Sequence, residues 1–235
     1  MKSILITGAS SGIGRAAAEL FLRSGWRVGL MARRRAALED IALGNDAAVV
    51  LEGDVTQPDS VETCFATFAD QAQRLDVLFN NAGVFTPAAP IDRTPLEDWQ
   101  RAVDVNLTGM FLCARAAFGM MRAHGGGRII NNGSISAHVP RENAVSYTTT
   151  KHAITGLTRQ LSLDGRDLSI TCSQIDIGNA ESEIVAALKA NAPQTPTMAV
   201  EDVARSVMHI ATMPPEANVL FMTVMANKMP YIGRG

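Results

Sequence analysis

A chain of 235 residues, 47% apolar and 19% charged, has the balance of a soluble globular protein and the length of one α/β unit with a single core. A net charge of −2 provides no basic field for nucleic acid, and 5% aromatic residues provide no stacking platform for bases. No apolar run approaches the roughly 20 residues of a membrane helix, and the opening Met-Lys-Ser-Ile-Leu-Ile-Thr-Gly does not read as a signal peptide.

Strand and helix signals alternate along the chain. Residues 3–7 read as a buried, β-branched strand and 13–24 as a helix. Strand 27–32, helix 35–43, strand 48–52 and helix 58–73 follow, then strand 77–80, closed by an Asn-Asn-Ala-Gly turn. A long helix is predicted over 95–123 and ends at Gly125-Gly126-Gly127; strand 128–132, helix 145–164 and strand 169–175 come next. Helices 181–191 and 201–212 and a last strand, 219–224, complete the pattern. Such alternation predicts a parallel sheet with helices on both faces. With no repeat, low-complexity tract or linker, residues 1–235 read as one domain with a short lid over about 180–198. Cys64, Cys113 and Cys172 have neither metal-ligand nor redox spacing and read as small core residues in a reducing compartment; the histidines show no ligand spacing either, so no metal is expected. The expected location is cytoplasmic.

Two segments carry chemistry. After the first strand, Gly8-Ala9-Ser10-Ser11-Gly12-Ile13-Gly14 turns the chain into a helix. Glycines there let backbone approach a pyrophosphate, and the helix N-terminus offers free N–H groups and a positive dipole end. The spacing is G-x-x-x-G-x-G rather than the commoner G-x-G-x-x-G. Further on, Tyr147 and Lys151 stand one turn apart on one helix face, with Ser134 thirteen residues before Tyr147. A free Tyr has a pKa of about 10. A Lys ammonium close by stabilises the phenolate and lowers that value, fitting Tyr147 to move a proton on an alcohol oxygen, while Ser134 hydrogen-bonds the same oxygen.

In order and spacing these segments, with Thr7, Asn80-Asn81-Ala82-Gly83 and Asn106, resemble the classical short-chain dehydrogenases/reductases from residue 3 to about residue 178. The resemblance implies a single Rossmann-type doubly wound parallel sheet, a nicotinamide cofactor, and hydride transfer between that cofactor and a small-molecule carbonyl or alcohol. It casts Tyr147 as general acid/base, Ser134 as the group that orients the substrate oxygen, and Lys151 as the partner of Tyr147 and of the ribose hydroxyls. Asn106 would bend its helix so that its carbonyl holds a water leading to Lys151; the plainer reading is a buried amide paired to a neighbouring loop. Gly8, Ser10, Ser11, Gly12, Ile13 and Gly14 would cradle the phosphates, and Asp54 and Val55 would meet the adenine, although Asp54 also reads as a cap for the next turn. Asn81, Ala82 and Gly83 would form a rigid loop beside the cofactor, with Gly178 and Ser182 at the carboxamide.

Cofactor choice turns on the end of the second strand. Family members that use NAD usually carry an acidic residue there; this chain has Ala32, then Arg33, Arg34 and Arg35. Guanidiniums pair with a 2′-phosphate, and a basic run opposes the dipole of a helix N-terminus, so NADP is expected rather than NAD, with Ser10 and Ser11 adding hydrogen bonds. The chain departs from the family after residue 174. Ile177 replaces the usual proline, Gly178 is kept, and Ser182 stands for a threonine. Asp176 is open between capping the lid helix and touching substrate. Phe85, His138, Val139, Pro140, Arg141 and Glu142 would wall the pocket, with Arg141 either pairing a substrate carboxylate or phosphate or left in solvent. Ala114, Ala116, Ala117, Phe118 and Met120 suit a dimer or tetramer interface and internal packing equally, and a homo-oligomer is expected. The rival function is an NADP(H)-binding sensor or partner subunit without turnover.

Overall fold

The first strand shows how the sheet is built. In β1 (Ser3–Thr7) every residue is buried, and Ile4, Leu5 and Ile6 have no solvent exposure at all. A strand of this kind has no polar face because helices cover both sides of its sheet. The computed structural model describes residues 1–181 and 195–232. It sets β1 among seven parallel strands in the order β3-β2-β1-β4-β5-β6-β7. The others are β2 (Arg27–Ala32), β3 (Ala48–Glu52), β4 (Val77–Asn80), β5 (Gly127–Asn132), β6 (Ile170–Ile177) and β7 (Phe221–Val224). Leu5 lies opposite Gly29 on one side and Leu78 on the other.

Helices α1 (Gly12–Arg23), α2 (Arg35–Ala42) and α7 (Val200–Thr212) cover one face, where Phe21, Leu38 and Val207 pack with Ile4, Ile6 and Leu30. Helices α3 (Pro58–Ala72) and α5 (Gly109–Ala123) cover the other, where Phe65, Phe68 and Cys113 pack with Leu5, Met31 and Leu78. Each fully buried Phe contributes about 1.5–3 kcal/mol of apolar transfer. Ala114 and Ala117 are buried in this second core, and Ala116, Phe118 and Met120 are partly buried against it. The three cysteines are free and buried, and burial pushes their thiols up to about 11 for Cys64 and about 12 for Cys113 and Cys172. Among the described residues no helix is long and apolar enough to cross a membrane.

The predicted elements are found with small shifts, and one long helix is divided. Residues 95–123 form α4 (Leu96–Val103), a π-helical turn (Asp104–Thr108) and then α5. The cause is Asn106, a poor helix-interior residue, whose side chain bonds the loop after β4. Strand β6 runs to Ile177, two residues beyond its expected end, and stays paired with β7 through Ile177 opposite Val224. The expected helix 181–191, Ser182 and most of the expected lid lie outside the described residues. Strand order reverses between β1 and β4, the place where open sheets of this kind leave a crevice at the carboxyl ends of their strands.

Candidate active site

The crevice is a cleft of about 640 Å³. The turn from β1 into α1 presents Gly8, Ser10, Ser11, Gly12 and Ile13 to it. Arg33 and Arg34 come from the end of β2, Asp54 and Val55 from the end of β3, and Asn81, Ala82 and Gly83 from the end of β4. Tyr147 and Lys151 enter from helix α6 (Val145–Asp164) and Gly178 from the end of β6. Asn106 and Ser134 are buried and do not line this cleft.

Two glycines make the turn possible. Gly8 has φ +67°, and a Cβ on it would sit 3.0 Å from the Ala82 Cα. Gly14, expected among the phosphate-cradling residues, does not line the cleft. A Cβ there would collide with the Gly8 carbonyl, so Gly14 lets the first turn of α1 pack on the glycine loop. Thr7 ties this loop to the next. Its Oγ1 accepts from the N–H groups of Asn81 and Ala82, both at 2.9 Å, and its carbonyl accepts from Asn81 Nδ2 at 2.9 Å. Asn81 Oδ1 in turn accepts from Asn132 Nδ2 (2.9 Å), and the Asn132 carbonyl accepts from Lys151 Nζ (2.7 Å).

At one end of the cleft the basic run divides. Arg34 donates to Ser10 Oγ from Nε (3.3 Å) and Nη2 (3.2 Å). Arg33 is exposed, with no carboxylate among the described residues within ion-pair distance. Arg35 points elsewhere, paired with Glu39 at 2.7 Å and Glu52 at 3.8 Å. Asp54 Oδ1 accepts from the backbone N–H and hydroxyl of Thr56, both at 2.9 Å, which is the turn cap; the residue lines the cleft as well.

At the other end Tyr147 is half-buried against Phe85, with ring centres 5.0 Å apart at 56°. Lys151 Nζ lies 5.5 Å from the Tyr147 ring centre. Ser134 caps a short helical turn by accepting from the Ser136 N–H (3.1 Å). Burial pushes the phenol up, while Ser134 and the Arg141 charge draw it down. The Lys151 ammonium donates to the Asn132 carbonyl. Burial brings Lys151 down to about 8, against a smaller upward pull from Asp176.

Asn106 has no solvent exposure; its Oδ1 accepts from the Val84 N–H (2.7 Å) and its Nδ2 donates to the Val84 carbonyl (2.9 Å) and to Thr150 Oγ1 (3.4 Å). The side chain therefore locks the loop after β4 to the helix that carries Tyr147. Asp176 is the residue whose role the sequence left undecided. It is fully buried. Oδ1 accepts from the Ser134 N–H (3.0 Å) and Gln174 Nε2 (2.7 Å), and Oδ2 from the half-exposed His138 Nε2 (2.7 Å). A Cβ on Gly133 would overlap Asp176 Oδ1, so the glycine makes room for the carboxylate. The only cue in the sequence was a carboxylate inside an apolar strand, next to the missing proline. Among the described residues no cluster of His, Cys, Asp and Glu could hold a metal ion.

Strand order, glycine turn and cleft together define the Rossmann-type class of doubly wound sheets. The family model of the short chain dehydrogenases matches residues 2–193. A 3-oxoacyl-[acyl-carrier-protein] reductase of Synechocystis sp. is 30% identical over 229 residues, 93% of this chain and 92% of that protein. The structure of a 3-ketoacyl-(acyl-carrier-protein) reductase from Brucella melitensis, complexed with NADH, has a TM-score of 0.88 at 24% identity, over 96% of this chain and 97% of that one. The closed form of a serine dehydrogenase complexed with NADP+ has a TM-score of 0.90 at 24% identity, over 94% of each chain. The chain belongs to the short chain dehydrogenase family of oxidoreductases.

Proposed function

We propose that this protein interconverts a carbonyl and an alcohol, using NADP(H) in preference to NAD(H), with Tyr147 as general acid/base. One observation carries the reading: Tyr147 lines the cleft with the buried Lys151 beside its ring and Ser134 acting on its phenol, and Ser10, Arg33 and Arg34 line the same cleft. The donor set fits a dinucleotide. Glycine backbone and the start of α1 would hold the phosphates, and Arg33 and Arg34 would supply guanidiniums to a 2′-phosphate. Solved neighbours of this fold hold NADH in one case and NADP+ in another, so the preference rests on Ala32, Arg33 and Arg34.

When bound, the nicotinamide supplies or accepts the hydride. The protein handles the proton. In the reducing direction Tyr147 donates its phenolic proton to the nascent alkoxide oxygen. The Ser134 Oγ already accepts from Ser136 N–H, so its own hydrogen is available to the same substrate oxygen. Lys151 keeps two ammonium hydrogens beyond the one given to Asn132, enough to hold ribose hydroxyls and fix the reacting geometry. Asn106 holds the loop after β4 against α6 and so supports that geometry.

Tyr147→Phe keeps the ring against Phe85 and removes the proton. Turnover of any carbonyl substrate is expected to fall by at least ~10²–10⁴-fold, with NADPH binding retained. A variant that kept most of the parent kcat would refute Tyr147 as the acid/base. Tight NADPH binding without turnover of ketones, oxo acids, sugars or β-ketoacyl thioesters would favour the sensor instead.

A further inference from the structure

The loop from β5 to α6 holds Ser134 and carries a cation that the proposed chemistry does not use. Arg141 donates from Nη2 to Asn179 Oδ1 (3.2 Å), and its guanidinium carbon stands 5.9 Å from the centre of the Phe85 ring. Its backbone N–H donates to Thr148 Oγ1 at 3.3 Å. Phe85 lines the cleft and packs on Tyr147. The guanidinium is thereby held beside the proton-transfer site by a neutral amide and an aromatic face. Asn179 is buried and donates to the Pro196 carbonyl (3.4 Å), so the anchor is itself fixed.

Arg15, Arg35, Arg74, Arg101 and Arg115 each meet a carboxylate within 4 Å. Among the described residues Arg141 meets none. A guanidinium has five N–H donors, and the described contacts of this one use a single nitrogen. Ordering so long a side chain costs rotamer entropy. Stacking and one amide bond hold the head in place without neutralising it, which leaves its planar fork for an anion.

Resting on the reading of this chain as a carbonyl/alcohol oxidoreductase, we propose that its substrate carries a carboxylate, bound by Arg141 while the carbonyl or alcohol faces Tyr147 and Ser134. Charge balance favours a carboxylate over a phosphate. One guanidinium matches one negative charge, whereas a phosphate monoester near −2 would face the buried Asp176 carboxylate, to which His138 is already bonded. The fork also suits the two oxygens of a carboxylate. The Arg141 charge acts on the phenol as well, drawing it down, so a variant at 141 alters turnover of every substrate. The informative quantity is therefore a ratio.

The test measures kcat/KM of the purified protein with NADPH on matched pairs, 2-, 3- and 4-oxo acids and their methyl esters. The parent is expected to prefer at least one acid over its ester by on the order of 10- to 100-fold, the worth of hydrogen bonds to a charged group. Arg141→Met should bring that ratio close to one, and Arg141→Lys should keep part of it. Esters turned over as well as acids by the parent, a ratio unchanged in Arg141→Met, or a preference for a phosphorylated ketone over every oxo acid would overturn the inference while leaving carbonyl reduction standing. Failure on acids and esters alike, with NADPH bound, would overturn both.

Discussion

Replacing Asp176 by Ala removes one acceptor group from three donors at once. Two of those donors, the Ser134 N–H and the Gln174 amide, are buried on residues at most 4% exposed. Each orphaned buried donor costs about 1–3 kcal/mol. His138 is 40% exposed in its side chain and turns to water, so its loss adds little. Relief of burying an ionised carboxylate offsets part of the sum, and a net loss of about 2–4 kcal/mol is expected. Asp176→Asn keeps Oδ1 as an acceptor for Ser134 and Gln174, and His138 adapts by changing tautomer, so that variant should lose about 1 kcal/mol. Urea unfolding followed by tryptophan fluorescence reads both from the shift in midpoint at constant slope. Turnover should follow the same order, because Asp176 holds the backbone of Ser134 in position. Asp176→Ala within about 0.5 kcal/mol of the parent, the ordinary range for an inconsequential surface change, or Asn no better than Ala, would refute the reasoning.

Asn106→Ala should destabilise by about 2–4 kcal/mol, because both backbone groups of Val84 lose their partner; thermal unfolding checks this, and an unchanged midpoint would show that the loop finds other partners. NADPH-dependent reduction should fall as pH rises through about 8, where Lys151 loses its proton, and Lys151→Arg should move that limb upward; a flat profile from pH 7 to 9 counts against it. The same group leaves a stability signature. The unfolded chain holds this proton more tightly between about 8 and 10.5, so the penalty for burying the ammonium is full below 8 and fades as pH rises. Arg33→Ala should weaken NADPH binding by about 1.5–3 kcal/mol and leave NADH unaffected, measured by fluorescence titration; equal dissociation constants for the two cofactors in the parent would contradict the assignment.

Local signals carried most of the fold and part of the site. Strands β1, β2, β3 and β4 stood out because buried, β-branched runs between glycine and polar turns have few other readings. The glycine turn and the Tyr147–Lys151 spacing could be read because each depends on neighbours within one or two turns. The division of helix 95–123 was half legible: Asn106 marked the distortion, but periodicity does not distinguish a π turn from an α turn. Contacts between distant segments were not legible. Asp176 binds partners 38 and 42 residues away, Arg35 is drawn off by Glu52 from the neighbouring strand, and Lys151 is aimed by a carbonyl 19 residues before it. These depend on how the sheet is ordered, which no window of sequence shows.

The line of hydrogen bonds from Thr7 through Asn81 and Asn132 to Lys151 bears on how chains of this kind can be recombined. Its four members come one each from β1, the turn after β4, β5 and α6, so the β1–α1 loop and the lysine share one scaffold. A chimaera joined between β1 and β4, or between β4 and β5, inherits the line only when the hydroxyl at 7 and the amides at 81 and 132 travel together. A junction beyond Ile177 leaves all four with one parent. For this line the first 151 residues behave as a single inherited block, whereas α7 and β7 are matched to the rest of the chain by packing on the core and pairing with β6.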